Sequence, residues 1–423
     1  MSRAQSRRQF FKTSGVLLAG TVAIASRIAR AQSDMETLFD QRLSGEAFWR
    51  QVRDEFTFSD EKVPMNAANL CPAWGRVSEH VANLTADIDR DCSFNNRAKF
   101  SGLLEQARET VARQLNVDAD EIALVRNTSE ANNIINSGLE LTAGDEVLIW
   151  DENHPTNHVA WQVRAARYGF SVVSVATPSQ LQSPQDLLDQ FVAAMTSRTR
   201  VLAVTHVSNV SGIKLPIAEL VQAAHARGIY VHVDGAQTWG AMKLDLRALG
   251  VDSFTASAHK WYMGPKEVGL LYVRQENIER IWPGVVASGW GNGPLTRQLG
   301  ARKFESLGQR DDAALAALGL TARIHDFIGP DRIEQRIVSL SQQLKNKAVA
   351  GGLTLVTPLN PALSFGVCII EAPAGQGGNV SNRLYDEHGI AGAGTGGLRL
   401  CPGIYNTPAH VDRAVAGAVA LLT

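Results

Sequence analysis

Three residues in the middle of the chain have the types and spacing for covalent chemistry. Lys260 follows His259 and precedes an aromatic residue and a Gly-Pro turn, a setting in which a buried, unpaired ammonium would be costly. Lysine amines form Schiff bases with carbonyl compounds, and a desolvated lysine is more nucleophilic because it loses its proton more easily. Asp234 and Gln237 lie 26 and 23 positions before this lysine. The pattern indicates a reactive lysine with an acid and an amide nearby.

Pyridoxal 5'-phosphate is the cofactor whose needs match this set, since it requires a lysine, an acid beside its ring nitrogen and a phosphate cradle. The run Asn127-Thr128-Ser129 follows a predicted strand and opens a predicted helix. Backbone N–H groups and hydroxyls at a helix start can bind phosphate. An ordinary N-cap explains Thr128-Ser129 equally well when that run is taken alone.

The elements that must position these residues alternate between strand and helix. Nearly continuous apolar strands that alternate with amphipathic helices predict a parallel sheet covered on both faces. The predicted strands are 122–126, 146–150, 171–175, 200–205, 229–233 and 253–257. The predicted helices between them are 103–115, 157–168, 184–195 and 216–227.

Polar residues follow these strands directly, at the carboxyl ends where ligands of such sheets bind. Five strand ends carrying polar residues predict one shared pocket. The residues at these ends are Asn127 to Glu130, Asp151 to His154, His206, Asp234 to Gln237, and Ser257 to Lys260.

The pattern changes after about residue 300. Helical stretches are predicted at 311–327 and 332–350, weaker strands at 363–370 and 397–400, and a last helix at 408–421. We expect a large domain at 63–300, a smaller α+β domain at 301–423 and an N-terminal segment, 32–62, packing beside the small domain. The glycine-rich stretches 375–378 and 389–397 are predicted as loops.

Several motifs together resemble the class V aminotransferase-fold enzymes, the group that includes cysteine desulfurases and isopenicillin N epimerase. The most specific is Val233-Asp-Gly-Ala-Gln237 followed by Ser257-Ala-His-Lys260. Further matches are Arg126 to Glu130, Arg399 to Asn406 and, more weakly, Asn66 to Asn69. The resemblance spans about 65–406 and implies the fold of type I pyridoxal-phosphate enzymes, with a mostly parallel seven-stranded sheet and a smaller C-terminal α+β domain.

The resemblance also implies roles for single residues and no metal site. Lys260 would form the Schiff base and move protons at the substrate α-carbon, and Asp234 would keep the ring nitrogen protonated. Gln237 would bind the ring hydroxyl and His154 would stack on the ring. The residues implied to contact the phosphate are Thr128, Ser129, Ser257 and His259, those implied to bind substrate are Arg399 and Asn69, and Asn157 is implied to lie near the ring. His206 and Asn209 follow a predicted strand, where a place in the pocket lining and a capping role are equally expected.

Two departures from the family pattern limit what is carried over. The loop at 385–395, where desulfurases place a nucleophilic cysteine, has none, which makes desulfurase activity a poor expectation. Cys401 stands two residues after Arg399, on the same predicted strand, and is therefore not on the mobile loop that persulfide transfer would need. Gln309 replaces the family threonine that reaches the phosphate of the neighbouring subunit; it can still donate a hydrogen bond, so we expect a homodimer with a shared site.

The first residues have the order of an export signal. Residues 1–31 hold six basic residues and no acid, with Arg7-Arg8 before Phe10-Phe11-Lys12, an apolar stretch at 16–25 and Ala29-Arg30-Ala31. This order resembles a twin-arginine signal, and we expect cleavage after Ala31 and a periplasmic product. A basic amphipathic helix or membrane anchor is the alternative, but an apolar run of about ten residues is too short to span a bilayer.

Composition excludes several other classes of protein. The chain has 423 residues, 45% of them apolar, with 41 basic and 42 acidic residues, which argues against a nucleic-acid binder, bulk disorder and a coiled coil. Four cysteines are too few for a disulfide framework, although an oxidising compartment permits a disulfide among Cys71, Cys92, Cys368 and Cys401. Their pairing stays open.

The expected activity is α-carbanion chemistry on an amino acid or on the amino-acid end of a larger molecule. Epimerisation, transamination and other outcomes share its first step. Because twin-arginine-exported relatives tailor pyoverdine siderophores, siderophore modification is one expected role. The alternatives are a periplasmic nicotinamide or flavin oxidoreductase, for which no Gly-x-Gly-x-x-Gly turn follows a predicted strand, and a non-catalytic binding protein on the same fold.

Overall fold

A computed structural model describes residues 39–286 and 300–423. The chain divides into two compact units, residues 1–54 and 55–423. The described part of the first unit contains helix α1 (Gly45–Asp54). The predicted export signal and its cleavage site, within residues 1–31, lie outside the described residues, and none of the helices in the described ranges has the length and apolarity needed to cross a bilayer.

A seven-stranded sheet forms the centre of the second unit. Its strands are β2 (Ile122–Val125), β3 (Glu146–Trp150), β4 (Ser171–Val175), β5 (Thr199–Thr205), β6 (Tyr230–Asp234), β7 (Ser253–Ser257) and β8 (Gly269–Val273). They lie in the order β2-β8-β7-β6-β5-β3-β4 across the sheet. Strands β3 to β7 pair in parallel, whereas β8 is antiparallel to its neighbours β2 and β7. The mostly parallel α/β fold predicted from the sequence is therefore confirmed.

Helices cover both faces of this sheet, as the apolar strands require. In β3, Leu148 and Trp150 belong to one apolar core and Val147 and Ile149 to another, so successive side chains enter opposite layers. The helices of this part of the chain are α2 (Gly75–Arg90), α3 (Phe94–Gln114), α4 (Thr128–Gly138), α5 (Val159–Tyr168), α6 (Pro184–Ala194), α7 (Ile217–His225) and α8 (Leu246–Leu249).

The C-terminal part packs around a third apolar core. Two small sheets contribute to it, a parallel pair of β1 and β10 and an antiparallel pair of β9 and β11. Its elements, with the helix that leads into it, are β1 (Val63–Pro64), α9 (Asp312–Ile328), α10 (Pro330–Ala350), β9 (Cys368–Ile370), α11 (Gly377–His388), β10 (Ile390–Ala391), β11 (Leu398–Leu400) and α12 (Pro408–Leu422). The domain boundaries given above remain predictions.

Local predictions in this part are only partly right. The glycine-rich stretches predicted as loops at 375–378 and 389–397 are turns and loops except for Gly377 and Gly378, which open helix α11, and Ile390 and Ala391, which form strand β10. Helix α11 itself was not predicted, and burial of Val380 and Leu384 in the third core stabilises it despite its two initial glycines. Gly389 ends that helix with φ +67°, a left-handed conformation that glycine adopts without strain. The strand predicted at 363–370 is confined to its last three residues, Cys368–Ile370.

Candidate active site

Asp234 provides a buried carboxylate at the end of β6. Its side chain is almost completely buried, and its two oxygens accept hydrogen bonds from the Ala236 backbone N–H (3.0 Å) and from Asn132 Nδ2 (2.9 Å). Within the described residues it forms no ion pair at contact distance. A buried charge without a paired counter-charge is costly. The position therefore suits a ligand that brings a cationic atom.

Lys260 lies in the turn that follows β7 and is half-buried. Burial lowers the pKa of its amine, the negative charge of Asp234 opposes that shift, and the positive charge of Arg399 adds to it. The described parts of the chain give the amine neither a hydrogen bond nor an ion pair. A lysine with a lowered pKa and a free amine is the form that attacks a carbonyl carbon.

His154 follows β3 and begins a short 3-10 turn at Pro155–Asn157. Its Nδ1 lies 3.0 Å from the Thr156 hydroxyl and 3.4 Å from the Thr156 backbone N–H, which donates to it. These contacts assign the ring proton to Nε2. Burial lowers the pKa of His154, the positive charge of Lys260 lowers it further, and Asp234 opposes both effects. The imidazole is therefore neutral at neutral pH and belongs to the same electrostatic site as the lysine and the aspartate.

Two hydroxyls meet at the N-terminus of α4. The Thr128 backbone N–H donates to Ser257 Oγ (2.8 Å), and the two side-chain oxygens are 2.7 Å apart. Asn127 caps the helix by accepting from the Glu130 N–H (3.0 Å), and Ser129 occupies the first turn. Helix α4 is 11 residues long, and its N-terminus, with hydroxyls beside it, has the chemistry of a phosphate-binding site.

His259 lies two residues after Ser257 in the Ser257-Ala-His-Lys260 motif and is half-buried. Its Nδ1–H donates to the Lys266 carbonyl (3.1 Å), which leaves Nε2 as the free nitrogen. Burial lowers its pKa to about 4, the charge of Lys260 contributes, and the hydrogen bond to Lys266 opposes the shift. An anion bound at Nε2 would raise that pKa, because it favours the protonated ring.

The side-chain amide of Gln237 is held from both ends. Its Nε2 donates to the Ala68 carbonyl (3.0 Å), and its Oε1 accepts from the indole N–H of Trp261 (2.9 Å). Because an indole nitrogen only donates, Trp261 fixes which end of the amide is the NH₂ group. Asn69 is exposed in the turn that follows Ala68, where its backbone N–H donates to the Asn66 carbonyl (2.9 Å).

Arg399 reaches the site from β11. Its Nε donates to Asn66 Oδ1 (3.3 Å) and its Nη1 to the Asn209 carbonyl (3.0 Å). The guanidinium is thereby fixed in orientation, as recognition of a carboxylate requires. Asn209 thus takes part through its backbone, and Asn66 supplies the side-chain partner.

Two further residues that were expected near the pocket, His206 and Asn157, are buried. His206 is buried after β5, its Nδ1 has no partner in the described part of the chain, and burial lowers its pKa to about 3. Asn157 is buried, with Oδ1 accepting from Trp161.

Gln309 is exposed, where its Oε1 accepts from Arg97 (3.0 Å) and its Nε2 donates to the Arg310 carbonyl. Among the described residues, no hydrogen bond joins Gln309 to the cluster, so its reach to a partner's phosphate stays a prediction.

The cysteines of the chain are free thiols. Cys71, Cys368 and Cys401 are buried, Cys92 is exposed between α2 and α3, and the disulfide that an oxidising compartment would permit is not formed. Burial raises the pKa of each of the three buried thiols, which keeps them in the unreactive protonated form.

Sequence reasoning missed the residues that orient the predicted ones. Asn132 contacts Asp234, Trp261 contacts Gln237 and Asn66 contacts Arg399. Two signals for Asn132 were present: polar residues recur on the buried face of α4, and the apolar strand Tyr230–Asp234 contains a histidine that needs a polar partner.

The residues of the cluster fit pyridoxal phosphate. Within residues 39–286 and 300–423, the buried carboxylate of Asp234 has no contacting cation and the amine of Lys260 has no partner, and the start of α4 offers anion-binding donors. These are the three parts that the cofactor requires. Fold and site together define a pyridoxal-phosphate enzyme of the type I fold.

Comparison with known proteins identifies the family. Residues 76–409 match the family Aminotransferase class-V, so the chain belongs to the class V aminotransferase family, whose enzymes use pyridoxal phosphate. The chain is 30% identical to isopenicillin N epimerase of Streptomyces clavuligerus, over 89% of this chain and 99% of that protein. It is 31% identical to a cysteine desulfurase of Cronobacter sakazakii, over 75% and 82% of the two chains.

Solved structures support the fold alone, because their sequences are more distant. A lysine-to-alanine mutant of C-DES, with glycine covalently linked to its cofactor, has a TM-score of 0.79 at 21% identity and covers 87% of this chain and 98% of its own. The apo cysteine desulfurase of Thermococcus onnurineus has a TM-score of 0.77 at 22% identity, with 88% and 98% covered.

Proposed function

We propose that this protein removes and returns a proton at the α-carbon of an amino acid, or of the amino-acid end of a larger molecule, with pyridoxal phosphate as cofactor. One observation carries the proposal: the buried Asp234 carboxylate, without a contacting cation, acts electrostatically on the unpaired amine of Lys260. A binding protein needs neither group. The family assignment removes the support for a nicotinamide or flavin oxidoreductase.

The chain's own residues would hold the cofactor at three points. Thr128, Ser129, Ser257 and His259 would bind the phosphate at the start of α4, and Lys260 would bond covalently to the aldehyde carbon. Asp234 would accept a hydrogen bond from the protonated ring nitrogen. Gln237 would present its NH₂ group to the ring hydroxyl, because Trp261 already occupies its oxygen.

When bound, the cofactor supplies an electron-withdrawing ring that stabilises negative charge at the α-carbon of an amine joined to it. Lys260 Nζ, released from the aldehyde carbon when the amine of the substrate takes its place, would accept the proton from the α-carbon and return it. Burial favours the neutral, proton-accepting form of this amine. Arg399 would hold the substrate carboxylate, and neutral His154 would lie against the ring without adding a second positive charge.

The thiols of the chain disfavour desulfurase activity. Segment 385–395 contains no cysteine, and the buried thiols are protonated and enclosed. Return of the proton, at the α-carbon or at the cofactor carbon, therefore accounts for the site better than sulfur transfer. The length match to isopenicillin N epimerase supports an isomerase or aminotransferase outcome.

Exchange of the α-hydrogen in D₂O tests the common step without knowledge of the product. The cofactor-loaded protein is incubated with a panel of L- and D-amino acids, and deuterium at the α-carbon is measured by mass spectrometry. We expect incorporation with at least one member, none with Lys260→Ala, and unchanged incorporation with Lys243→Ala, an exposed lysine paired with Asp331. Cofactor binding without exchange of any amino acid would favour a non-catalytic binding protein instead.

We further propose export to the periplasm, assembly as a homodimer and action on a siderophore side group. The basic, acid-free residues 1–31 support export, and the family pattern around Gln309 supports a shared site. N-terminal sequencing of exported protein should begin near Gln32, and light scattering should give twice the mass of one chain. A siderophore profile that deletion of the gene leaves unchanged would rule out the siderophore role.

A further inference from the structure

A row of buried side chains connects the interior of the sheet to Asp234. Ser253, His232 and Asn132 are completely buried, as Asp234 nearly is. Ser253 Oγ lies 2.8 Å from His232 Nδ1, and His232 Nε2 lies 3.0 Å from Asn132 Oδ1. Asn132 Nδ2 completes the row at 2.9 Å from Asp234 Oδ2. The row joins β7, β6 and α4 through side chains alone.

The direction of every hydrogen bond in this row follows from chemistry. The carboxylate of Asp234 only accepts, so the NH₂ group of Asn132 must face it and the amide oxygen must face His232. Because that oxygen also only accepts, His232 carries its proton on Nε2 and accepts at Nδ1 from the Ser253 hydroxyl. Thr255 Oγ1 donates to the same amide oxygen at 2.8 Å. Burial lowers the pKa of His232 to about 3, which agrees with a neutral ring. Two donors on its oxygen leave the Asn132 amide one orientation, with NH₂ towards Asp234.

The same NH₂ group also reaches towards His154. Asn132 Nδ2 lies 3.3 Å from Thr156 Oγ1, and that hydroxyl lies 3.0 Å from His154 Nδ1. The two hydrogens of one amide therefore serve the carboxylate and, through Thr156, the imidazole. A change in the orientation of this amide would disturb both.

We propose that Asn132 is a positioning residue that sets the orientation of Asp234 and His154 towards the cofactor, and that His232 acts through it by preventing the amide from flipping. The inference rests on the proposed function. A carboxylate that is already oriented does not have to reorganise when the ring nitrogen arrives, and such preorganisation strengthens electrostatic contacts in a dry site.

Equilibrium dialysis with pyridoxal phosphate tests this on Asn132→Leu, His232→Leu and the double variant. The control is Asn136→Leu, on the same helix, where a buried asparagine has an Nδ2 without a partner in the described residues. We expect the dissociation constant of the cofactor to rise roughly 10- to 100-fold for Asn132→Leu, because this substitution removes a hydrogen bond to a charged group. His232→Leu should raise it roughly three- to tenfold and add less than about twofold in the double variant, because the two residues act in series.

Results outside this pattern would overturn the proposal. These are an Asn132→Leu dissociation constant within about twofold of the unchanged protein, independent effects of the two substitutions, or an equal loss in Asn136→Leu. Thermal melting of the cofactor-free variants separates loss of affinity from loss of folding, since a structural role would lower the melting temperature and the affinity together. If the unchanged protein itself fails to bind the cofactor, the proposed function falls, and this inference falls with it.

Nitrogen NMR of the histidine rings gives a readout that needs no cofactor. His232 should show a protonated Nε2 and an unprotonated Nδ1 in the cofactor-free protein, and Asn132→Leu should abolish that preference. A ring protonated on Nδ1 would contradict the direction of the row even if cofactor binding proved normal.

Discussion

Arg399 is held in place by two of its own hydrogen bonds before any substrate arrives. Asn66 Oδ1 and the Asn209 carbonyl accept from Nε and Nη1, so the guanidinium plane cannot rotate freely. Planar, two-pronged recognition of a carboxylate depends on such a fixed plane, which a lysine cannot reproduce.

Arg399→Lys should therefore weaken amino-acid binding more than it slows the chemistry. The amino-acid concentration for half-maximal α-hydrogen exchange should rise roughly 10- to 100-fold, the worth of one charge-assisted hydrogen bond. Exchange at saturation should change far less. The matched control is Arg383→Lys, an exposed arginine paired with Glu387, which should leave both values unchanged. An unaltered concentration dependence in Arg399→Lys would remove Arg399 from substrate binding.

Residues with a chemical signature were open to sequence reasoning, whereas the residues that orient them were not. Lys260 and Asp234 stand in recognisable motifs, but the contact of Asn132 with Asp234 spans 102 positions. Likewise, Trp261 fixes the amide of Gln237 through a contact between two turns. Only the packing of α4 against β6 and β7 brings the first pair together, and no local pattern encodes the direction of a side-chain amide.

Among the elements, the start of α4 and the end of β7 would together form the proposed phosphate site. Thr128 and Ser257 are joined by two contacts under 3 Å, so neither hydroxyl is free to turn away. The site therefore depends on the register that places β7 beside the helix start, more than on either residue alone.

Thr128→Val and Ser257→Ala should weaken binding of pyridoxal phosphate and spare binding of pyridoxal, which lacks the phosphate. Each substitution should raise the dissociation constant of the phosphorylated form roughly tenfold, because it removes a hydroxyl that faces a charged group. Thr85→Val, on the exposed side of α2, serves as the control. Equal losses for both compounds would show that the substitutions act on folding and not on a phosphate site.

The central sheet was predictable because its strands are short, apolar and bounded by polar turns. The bounds of β3, β4 and β7 agree with prediction residue for residue. Strand β8 was missed because its apolar run follows the Gly-Pro turn and has no helix before it. The alternation of strand and helix predicts parallel strands and therefore does not indicate an antiparallel one. Helix α11 was missed because its stability comes from burial in the C-terminal core, whereas its own composition favours a loop.

At the scale of the whole molecule, buried histidines predict how stability depends on pH. Burial lowers the pKa of His206 and His232 to about 3 and that of His325 to about 4. In the unfolded chain these rings titrate near pH 6.5. Between that pH and the folded values the unfolded state binds more protons, so the free energy of unfolding must fall as the pH falls.

Urea unfolding of the cofactor-free protein between pH 7 and 4.5 should show this loss. Each buried histidine should contribute about 1.4 kcal/mol per pH unit once the pH is below the unfolded pKa. His325→Asn should make the slope shallower by one such contribution. A free energy of unfolding that stays constant from pH 6.5 to 4.5 would contradict the neutral, buried state of these rings.

The proposed mechanism requires Lys260 to bond covalently to pyridoxal phosphate, and borohydride reduction traps such a bond. The protein is saturated with the cofactor, reduced, digested and mapped by mass spectrometry. We expect a pyridoxyl adduct on the peptide that contains Lys260, absent in Lys260→Ala and retained in Lys243→Ala. No adduct, or an adduct confined to another lysine, would contradict it.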